Sequence, residues 1–490
     1  MRNSQVLRKF TSPPEVLPSE YDMKTTHPFS PAHFEFDREL IERLDGSGPR
    51  YTSYPTADRF TPGFSAHDYQ HGLQQRRIGA NRKPLSLYAH IPFCNTVCYY
   101  CACNKIITKN KSKADQYLDY LEKEILLVAE QLGCREKVIQ LHFGGGTPTF
   151  LDDGQLARLM TMLGTHFEFL SDGEYSIEID PRKVKRETMF RLAEYGFNRI
   201  SVGVQDFDPA VQRAVNRVQS EQETRQVIAA GREAGMKSVS LDLIYGLPLQ
   251  SRDSMLRTLE KAIALDPDRL ALYNYAHLPT VFMPQRRINE ADLPSAAAKL
   301  DILQDAVKML SDAGYVFIGM DHFAKPDDEL AVALRQGRLQ RNFQGYSTHA
   351  DCDMLAFGVS SIGKVGSSYS QNDKMLEGYY AALDEGRLPV VRGLTLDKDD
   401  VLRRTIIQGL MCRFSLSIEA IEDIYAINFA QYFAAEMPQI REFQQQGLLS
   451  FDGDFLMVEP KGRFLIRNIA MIFDRHLRER RTHARYSKTI

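Results

Sequence analysis

The chain has 490 residues, of which 43% are hydrophobic and 25% are charged, a composition typical of a globular protein. Its net charge of −2 gives no general attraction to nucleic acid or to an anionic membrane, and no run of about 20 apolar residues could insert into a bilayer. Seven cysteines, an odd number, argue against a disulfide framework, so we expect a cytoplasmic protein. A monomer is the default expectation for its oligomeric state.

The N-terminal part is predicted in two segments. Residues 1–36 are polar and rich in proline, serine and threonine, which indicates a flexible extension. Residues 37–84 begin with a short predicted helix, and an extended segment with two tyrosines follows at 49–56. That string is either an ordinary connector or a strap across the mouth of a site.

From Leu85 onward, apolar runs of strand length alternate with amphipathic stretches of helix length, which predicts an α/β fold with a parallel sheet. The predicted strands are 85–89, 138–143, 175–180, 199–204, 239–244 and 269–275. The predicted helices are 118–132, 153–167, 185–196, 221–234 and 253–265. Six such units indicate a partial six-stranded (β/α) barrel within a domain at 85–392, with its chemistry at the carboxyl ends of the strands.

Beyond these units, helices are predicted at 293–314 and 327–335, a strand at 315–322 and a linker at 386–393. The C-terminal domain, 393–490, is predicted to be mostly helical, with a hairpin at 448–458 whose tip is Asp452-Gly453. Helices with a hairpin also occur in winged-helix DNA-binding domains. The basic residues here are balanced by acids, however, which favours a packing domain that binds no nucleic acid.

Four of the seven cysteines fall within ten positions, directly after the first predicted strand. Cys94, Cys98 and Cys101 have the spacing C-x3-C-x2-C, which lets three thiolates converge on a soft metal centre. Three interpretations are open: buried structural thiols, a closed zinc site with Cys103 as fourth ligand, or a [4Fe-4S] cluster with one iron free of protein ligands. The cramped Cys101-Ala102-Cys103 spacing and the lack of a second cysteine pair count against zinc.

This loop resembles that of the radical S-adenosylmethionine (SAM) superfamily, in which an aromatic residue, here Tyr100, precedes the third cysteine. Within the superfamily, the resemblance narrows to the oxygen-independent coproporphyrinogen III oxidases and runs from Gly48 to the C-terminus. The stretches that carry it are 48–56, 85–105, 142–149, 203–207, 242–248, 274–279, 321–324 and 341–346.

The resemblance implies a first SAM site. Three glycines after the second strand would let the backbone approach a ligand, and Glu178, in a barrel strand, needs a partner. The implied contacts of this SAM are Tyr88, Gly145, Gly146, Thr147 and Glu178, with Tyr88 and Glu178 also catalytic.

A second SAM site is implied as well, with contacts from Tyr100 (through its backbone), Gln205, Arg217, Asp242, Ala276 and Ile362. Of these, only Asp242 stands out without the resemblance, as a polar residue within an apolar strand. The alternative is that Arg217 and Asp242 pair with each other and bind no ligand.

The implied reaction is oxidative decarboxylation of two propionates of coproporphyrinogen III to vinyl groups by a 5′-deoxyadenosyl radical, giving protoporphyrinogen IX for haem synthesis. Arg50, Lys105 and Arg341 are candidate partners for the carboxylates of the substrate. An electron donor such as flavodoxin or ferredoxin and an electron acceptor would also be needed. The alternatives are a haem chaperone of the same superfamily, against which Cys103, the strap and the long C-terminal domain count, and a cluster-dependent regulator.

Overall fold

The alternating apolar and amphipathic stretches become strands and helices in the computed structural model, which describes residues 34–78, 82–349, 352–479, 486 and 488. In chain order the strands are β1 (Leu85–Ile91), β2 (Phe93–Cys94), β3 (Ile106–Ile107), β4 (Glu136–Gly145), β5 (Phe167–Ile179), β6 (Arg199–Gln205), β7 (Ser238–Tyr245), β8 (Arg269–Asn274), β9 (Val316–Gly319), β10 (His322–Ala324), β11 (Gln340–Asn342), β12 (Gly345–Ser347), β13 (Met354–Phe357), β14 (Ile362–Val365), β15 (Ser368–Asn372), β16 (Val390–Thr395), β17 (Ser415–Ser417), β18 (Leu449–Asp452) and β19 (Phe455–Val458). The helices are α1 (Arg38–Leu44), α2 (Ala66–Gln75), α3 (Ser112–Leu132), α4 (Asp153–His166), α5 (Arg186–Glu194), α6 (Pro209–Ala214), α7 (Glu221–Glu233), α8 (Arg252–Ala264), α9 (Ala296–Asp312), α10 (Glu329–Arg335), α11 (Leu376–Asp384), α12 (Lys398–Arg413), α13 (Ile418–Tyr425), α14 (Phe429–Tyr432), α15 (Met437–Gln445), α16 (Ile466–Met471) and α17 (Arg475–Glu479).

Twelve strands form one sheet, in the order β16-β15-β14-β13-β1-β4-β5-β6-β7-β8-β10-β9. The central strands, from β13 to β8, are parallel, and the strands beyond them on both sides are antiparallel. Residues of β4 to β8 and of β10 line one cavity, so the sheet curves around that cavity. All six predicted strands are present and parallel, which confirms the α/β fold, but the sheet is wider than six strands.

Helices cover the outer face of the sheet and account for the hydrophobic core. In α3, for example, Leu118, Leu121, Ile125 and Val128 recur at spacings of three and four, and all four are buried. β1 is buried along nearly its whole length, as expected of a parallel strand with both faces covered. This packing fixes the carboxyl end of β1, from which the cysteine loop emerges.

Besides the strand predicted at 315–322, which is instead the antiparallel pair β9 and β10, four details differ from the sequence-based expectations. β5 begins at Phe167, immediately after α4 and eight residues earlier than the strand predicted from 175, because one long irregular strand fills the interval. The predicted linker at 386–393 contains the start of β16, which pairs with β15 at the edge of the sheet. The hairpin turn is Gly453-Asp454, one residue later than predicted, since Asp452 pairs with Phe455.

The fourth difference concerns the predicted extension, residues 1–36. Of these, 1–33 lie outside the described residues, whereas Phe34 and Phe36 pack edge-on against Phe464, with ring centroids 5.3 and 5.5 Å from it. Residues 34–36 thus belong to the packed part of the chain. The domain boundaries, that of the extension included, remain predictions.

The C-terminal region is mostly helical, as predicted, with α12 to α17 arranged around the three strands β17, β19 and β18. Among the described residues, no helix combines the length and the apolar character that crossing a membrane requires.

Candidate active site

The cysteine loop lies at the carboxyl end of β1, as predicted, and is held by bonds to distant parts of the chain. Pro92 ends β1, and the backbone N–H of Tyr99 donates to the carbonyl of Val215 at 3.0 Å. The side-chain amide of Asn216 donates to the carbonyl of Val97 at 2.7 Å. The loop is thereby tied to the turn after α6.

The three cysteines of the motif line one cavity, which we call the strand-end cavity because the ends of β4 to β7 form the rest of its wall. Its lining includes Cys94, Cys98, Tyr100, Cys101, Cys103, Lys105, Gly145, Gly146, Thr147, Glu178, Asp180, Ser201, Gln205, Arg217 and Asp242. The structure therefore brings together most of the residues that the sequence singled out.

The thiols of this cavity are in different electrostatic surroundings. Burial raises the pKa of Cys94 to about 11, although the hydroxyl of Thr147 lies 3.4 Å from its sulfur. A hydrogen bond from Cys103, together with the Lys105 ammonium, lowers the pKa of Cys101 to about 6. Among the described residues, no three His, Cys, Asp or Glu side chains are arranged to hold a single metal ion.

The glycines after β4 allow two strand ends to approach each other. The N–H of Gly146 donates to the carbonyl of Ile91 at 2.8 Å, and a Cβ on Gly146 would lie 2.6 Å from the carbonyl oxygen of Pro92. Gly145 has a φ of +114°, a conformation that residues with side chains rarely adopt. The Gly-rich turn is therefore needed for packing as well as for any ligand.

Glu178 lies at the end of β5 and faces the cavity, with 43% of its side chain exposed. One carboxylate oxygen accepts the N–H of Gly145 at 3.2 Å, and the other lies 3.4 Å from Nε2 of His142. His142 in turn stacks on Tyr88, with ring centroids 5.9 Å apart, and the Tyr88 hydroxyl lies 3.1 Å from Nδ1 of His90. Burial raises the pKa of Tyr88, so this residue remains a neutral phenol.

Arg217 and Asp242 do not pair with each other, so the alternative of a direct ion pair is wrong. Arg217 donates to the carbonyl of Gly203 at 2.6 Å, and its guanidinium lies 3.6 Å from Asp180 and 3.7 Å from the sulfur of Cys98. Its buried Nε has no hydrogen-bond partner.

Asp242 faces the cavity from β7 and has one neutral partner. Its carboxylate accepts a hydrogen bond from the Ser201 hydroxyl at 2.8 Å. Burial, with a smaller contribution from Glu178, raises the pKa of Asp242 to about 6. An uncompensated acid and a buried guanidinium therefore face one cavity, which is the arrangement expected where a zwitterionic ligand binds.

Two of the remaining candidates meet through a residue that the sequence did not single out. The buried amide of Gln285 donates to the carbonyl of Tyr100 at 3.1 Å and to that of Ala276 at 3.2 Å. Ile362, by contrast, lies on β14 and packs beside Phe60 and Tyr369, outside the lining of the strand-end cavity.

Three further residues escaped the sequence analysis: His142, Asp180 and Ser201. His142 and Asp180 lie near the ends of predicted strands, where polar residues are candidates for a site, so this signal was present. Ser201 gave no such signal, because a serine is common in any strand. Its bond to Asp242 depends on the pairing of β6 with β7.

Comparison with known proteins defines the class. The model of the radical SAM superfamily matches residues 88–262, and that of the HemN C-terminal domain matches residues 396–465. The chain is 52% identical over 444 residues to the oxygen-independent coproporphyrinogen III oxidase of Pseudomonas aeruginosa, covering 90% of this chain and 96% of that protein.

The enzyme of the same name from Escherichia coli is 48% identical over 456 residues, covering 93% of this chain and 99% of that protein. The solved structure of coproporphyrinogen III oxidase from Escherichia coli, a radical SAM enzyme, matches with a TM-score of 0.86 at 47% identity and covers 91% of this chain and 100% of that one. The protein is thus a member of the radical SAM superfamily. Within it, the chain belongs to the family of oxygen-independent coproporphyrinogen III oxidases.

Proposed function

We propose that this chain catalyses the oxygen-independent oxidative decarboxylation of two propionates of coproporphyrinogen III to vinyl groups, giving protoporphyrinogen IX. The observation that carries this proposal is the strand-end cavity, in which three cysteines and the polar residues of four strand ends face one another in a chain of this family. For each propionate, one hydrogen atom leaves the β-carbon, the bond to the carboxylate carbon breaks to release CO2, and one electron passes to an external acceptor.

The residues present fit a [4Fe-4S] cluster and SAM. Cys94, Cys98 and Cys101 would hold the cluster, because their C-x3-C-x2-C spacing brings three thiols to one cavity. When bound, the cluster and SAM supply a 5′-deoxyadenosyl radical. Cys103 lines the same cavity but is proposed not to be a cluster ligand, so that one iron stays available to SAM.

The first SAM site is proposed to lie between β1, β4 and β5. Gly145, Gly146 and Thr147 would form its backbone wall, because a Cβ at either glycine would collide with the end of β1 or its histidine. Glu178 would accept hydrogen bonds from the ligand, and the neutral phenol of Tyr88 would support this site through His142. Glu178 and Tyr88 are the proposed catalytic residues.

A second SAM is proposed beside Gln205, Arg217 and Asp242, with the Tyr100 and Ala276 backbones nearby. The orphan Nε of Arg217 suits the carboxylate of a methionine moiety, and the acid of Asp242 suits its amine. Ile362 keeps its proposed role only if a bound ligand extends to β14, since it lies outside this cavity.

Stoichiometry tests the second site. Equilibrium binding under anaerobic conditions is expected to give two equivalents of SAM for the wild type and one for Asp242→Ala, with the cluster intact in both. Because Asp242 contacts neither the cysteines nor Gly145, loss of the cluster in this variant is not expected. A wild-type stoichiometry of one contradicts the second site.

The activity itself is tested with the reconstituted protein, coproporphyrinogen III, SAM and an electron donor in the absence of oxygen. Protoporphyrinogen IX and CO2 are the expected products, and their absence would overturn the proposal. Flavodoxin or ferredoxin is the proposed type of donor. We also propose that the protein acts as a monomer in the cytoplasm, without membrane insertion and without nucleic acid.

A further inference from the structure

Arg341, in β11, carries a buried charge that the described part of the chain does not neutralise. The residue is 5% exposed, and its Nε and Nη1 have no hydrogen-bond partner. It makes no ion pair with any described residue. Its guanidinium lies over the ring of Tyr346, 4.8 Å from the centroid, which compensates only part of the lost hydration. A guanidinium cannot be deprotonated in a protein, so this site favours an anion.

The surroundings of Arg341 are also strongly positive. Burial would raise the pKa of Asp321, yet Arg50, Arg341 and Arg467 together lower it, so Asp321 is a carboxylate. Burial and Arg341 lower the pKa of His322 to about 3, so His322 is neutral. Three guanidiniums therefore lie near one carboxylate, and the one that pairs with it is Arg50, so Arg341 has no carboxylate partner among the described residues.

The carboxylate of Asp45 does not neutralise these guanidiniums, because it is bound to the ammonium of Lys488 at 2.6 Å. Arg467 is committed to the backbone of the strap, since it donates to the carbonyls of Pro49, at 2.9 Å, and Gly48. Arg50 holds Asp321 at 2.6 Å but has 32% of its side chain exposed. Arg50 and Arg341 are thus the two guanidiniums with capacity left for a ligand.

Arg341 lines a small cavity that shares Gln140 and Asn342 with the cavity inside the curved sheet. Tyr346, directly opposite Arg341 in the β11–β12 hairpin, lines the cavity inside the curved sheet, which we call the lumen cavity. Tyr273 on β8 lines it too, and is close enough to Asp242 and Asp321 that both raise its pKa. Glu178, Ser201 and Asp242 border both the lumen cavity and the strand-end cavity, so the two cavities adjoin.

We propose that Arg341, assisted by Arg50, binds one propionate carboxylate of the tetrapyrrole while another propionate reaches the strand-end cavity. This inference rests on the proposed function. A planar guanidinium fork matches a carboxylate in two parallel hydrogen bonds, and here the surplus charge is already desolvated. Lys105, the other candidate cation, is less suitable because its ammonium donates to the carbonyls of Cys101 and Cys103 at 3.1 and 3.2 Å.

Binding of coproporphyrin III, the oxidised and fluorescent form of the substrate, tests this site without turnover. Arg341→Gln is expected to weaken its binding about tenfold or more, because the charge is removed and the shape nearly kept. Arg341→Lys is expected to lie between Arg341→Gln and the wild type. The KM for coproporphyrinogen III should rise in parallel.

Two controls separate a carboxylate contact from a structural role. The tetramethyl ester of the same porphyrin has no carboxylates, so wild type and Arg341→Gln should bind it equally. Arg338→Gln removes a guanidinium from the exposed turn before β11, where it bonds to the side chain of Gln336 at 2.9 Å, and should bind coproporphyrin III as the wild type does.

Unchanged binding of coproporphyrin III by Arg341→Gln, or an equal loss for the ester, would overturn the inference. If Arg341→Gln does not fold, Arg50→Gln replaces it, with the same expectation, because the Arg50 side chain is partly exposed. Failure of the proposed function is distinct: the wild type would then form no protoporphyrinogen IX, whatever the variants bind.

Discussion

Cys103 is the residue whose role separates an open cluster from a closed one. It lies on the same cavity as Cys94, Cys98 and Cys101, and it is hydrogen-bonded to Cys101. If it were a fourth ligand, no iron would remain for SAM. Because Cys103 lines the same cavity as the three proposed ligands, a variant at this position distinguishes an open cluster from a closed one.

Cys103→Ala is expected to retain the visible absorption of a [4Fe-4S] cluster and the reductive cleavage of SAM. Cys98→Ala is expected to lose both, because two thiolates cannot hold the cluster. Anaerobic absorption spectroscopy and product analysis measure the two outcomes. A colourless Cys103→Ala protein would show that Cys103 is a ligand.

Asp242 is expected to make the cluster-free protein less stable at neutral pH than at acidic pH. An ordinary aspartate has a pKa near 3.9, whereas folding raises the pKa of Asp242 to about 6. Between these values the native state binds more protons than the unfolded state, so the free energy of unfolding falls as pH rises through this window. The decrease is at most about 3 kcal/mol, and smaller where water enters the cavity.

Asp242→Asn should therefore unfold at a higher temperature than the wild type at pH 8, and at a similar temperature at pH 4. Thermal unfolding of the two cluster-free proteins measures this difference. Asp452→Asn, at the exposed end of the hairpin, is the matched control and should leave the pH dependence unchanged. Equal unfolding temperatures for Asp242→Asn and wild type at pH 8 would mean that Asp242 is not strained by burial.

The cysteines could be predicted because their spacing is local, whereas the contacts between distant residues could not. Gln285 joins Tyr100, 185 positions away, to Ala276. His142 meets Glu178 only because β4 and β5 pair in one particular register. Ile362 is the opposite case, because the resemblance implied a ligand contact whereas its side chain packs beside Phe60 and Tyr369.

At the scale of elements, the turn after β4 connects packing with ligand binding. Its glycines sit where the ends of β1 and β4 touch, and a side chain at Gly146 would push Pro92 and the cysteine loop outward. A displacement there moves Cys94, which follows Pro92 by two residues. The integrity of this turn should thus control both the cluster and SAM.

Gly146→Ala is expected to lower SAM affinity by at least about tenfold and to destabilise the fold by roughly 1–3 kcal/mol, as overpacking does. Gly164→Ala is the matched control: a Cβ there has no neighbour within 4 Å, and alanine favours its helix, α4, by about 1 kcal/mol. Anaerobic SAM binding and thermal unfolding measure both effects. Wild-type binding by Gly146→Ala would mean that the strand ends can separate without harm.

Element order could be read from the alternation of apolar runs, but element ends could not. The strand predicted from 175 begins at Phe167 instead, since the Tyr175 hydroxyl bonds to the carbonyls of Leu170 and Val138 and holds β5 together across its irregular stretch. β16 was read as a linker because Pro389 interrupts the helical pattern. Whether such an edge segment forms a strand depends on the strand it pairs with, here β15, more than on its own sequence.

At the scale of the whole molecule, the C-terminal region holds residues 49–56 against the sheet. The hydroxyl of Tyr51 donates to Asp474 at 3.0 Å, and the N–H of Arg475 donates to the hydroxyl of Tyr54 at 3.2 Å. Arg467 binds the carbonyl of Pro49. These bonds hold the segment in place on both sides of Arg50, and its role as a strap rather than a connector stays a prediction, because none of its residues is in the lining of the strand-end cavity.

Asp474→Ala should therefore lower product formation while SAM is still cleaved, so that more SAM is consumed per vinyl group. The change removes the buried partner of Tyr51, and losing about 1 kcal/mol of positioning corresponds to roughly a fivefold effect. Asp474 also accepts the N–H of Leu477 at 3.2 Å, at the start of α17, so the variant loses a helix cap as well as the Tyr51 contact. Ser220→Ala removes a comparable cap from α7, far along the chain from the strap, and serves as the control.

Quantifying 5′-deoxyadenosine against protoporphyrinogen IX gives the ratio directly. A ratio for Asp474→Ala equal to that of Ser220→Ala would show that the C-terminal region stabilises the fold without positioning the strap for the reaction.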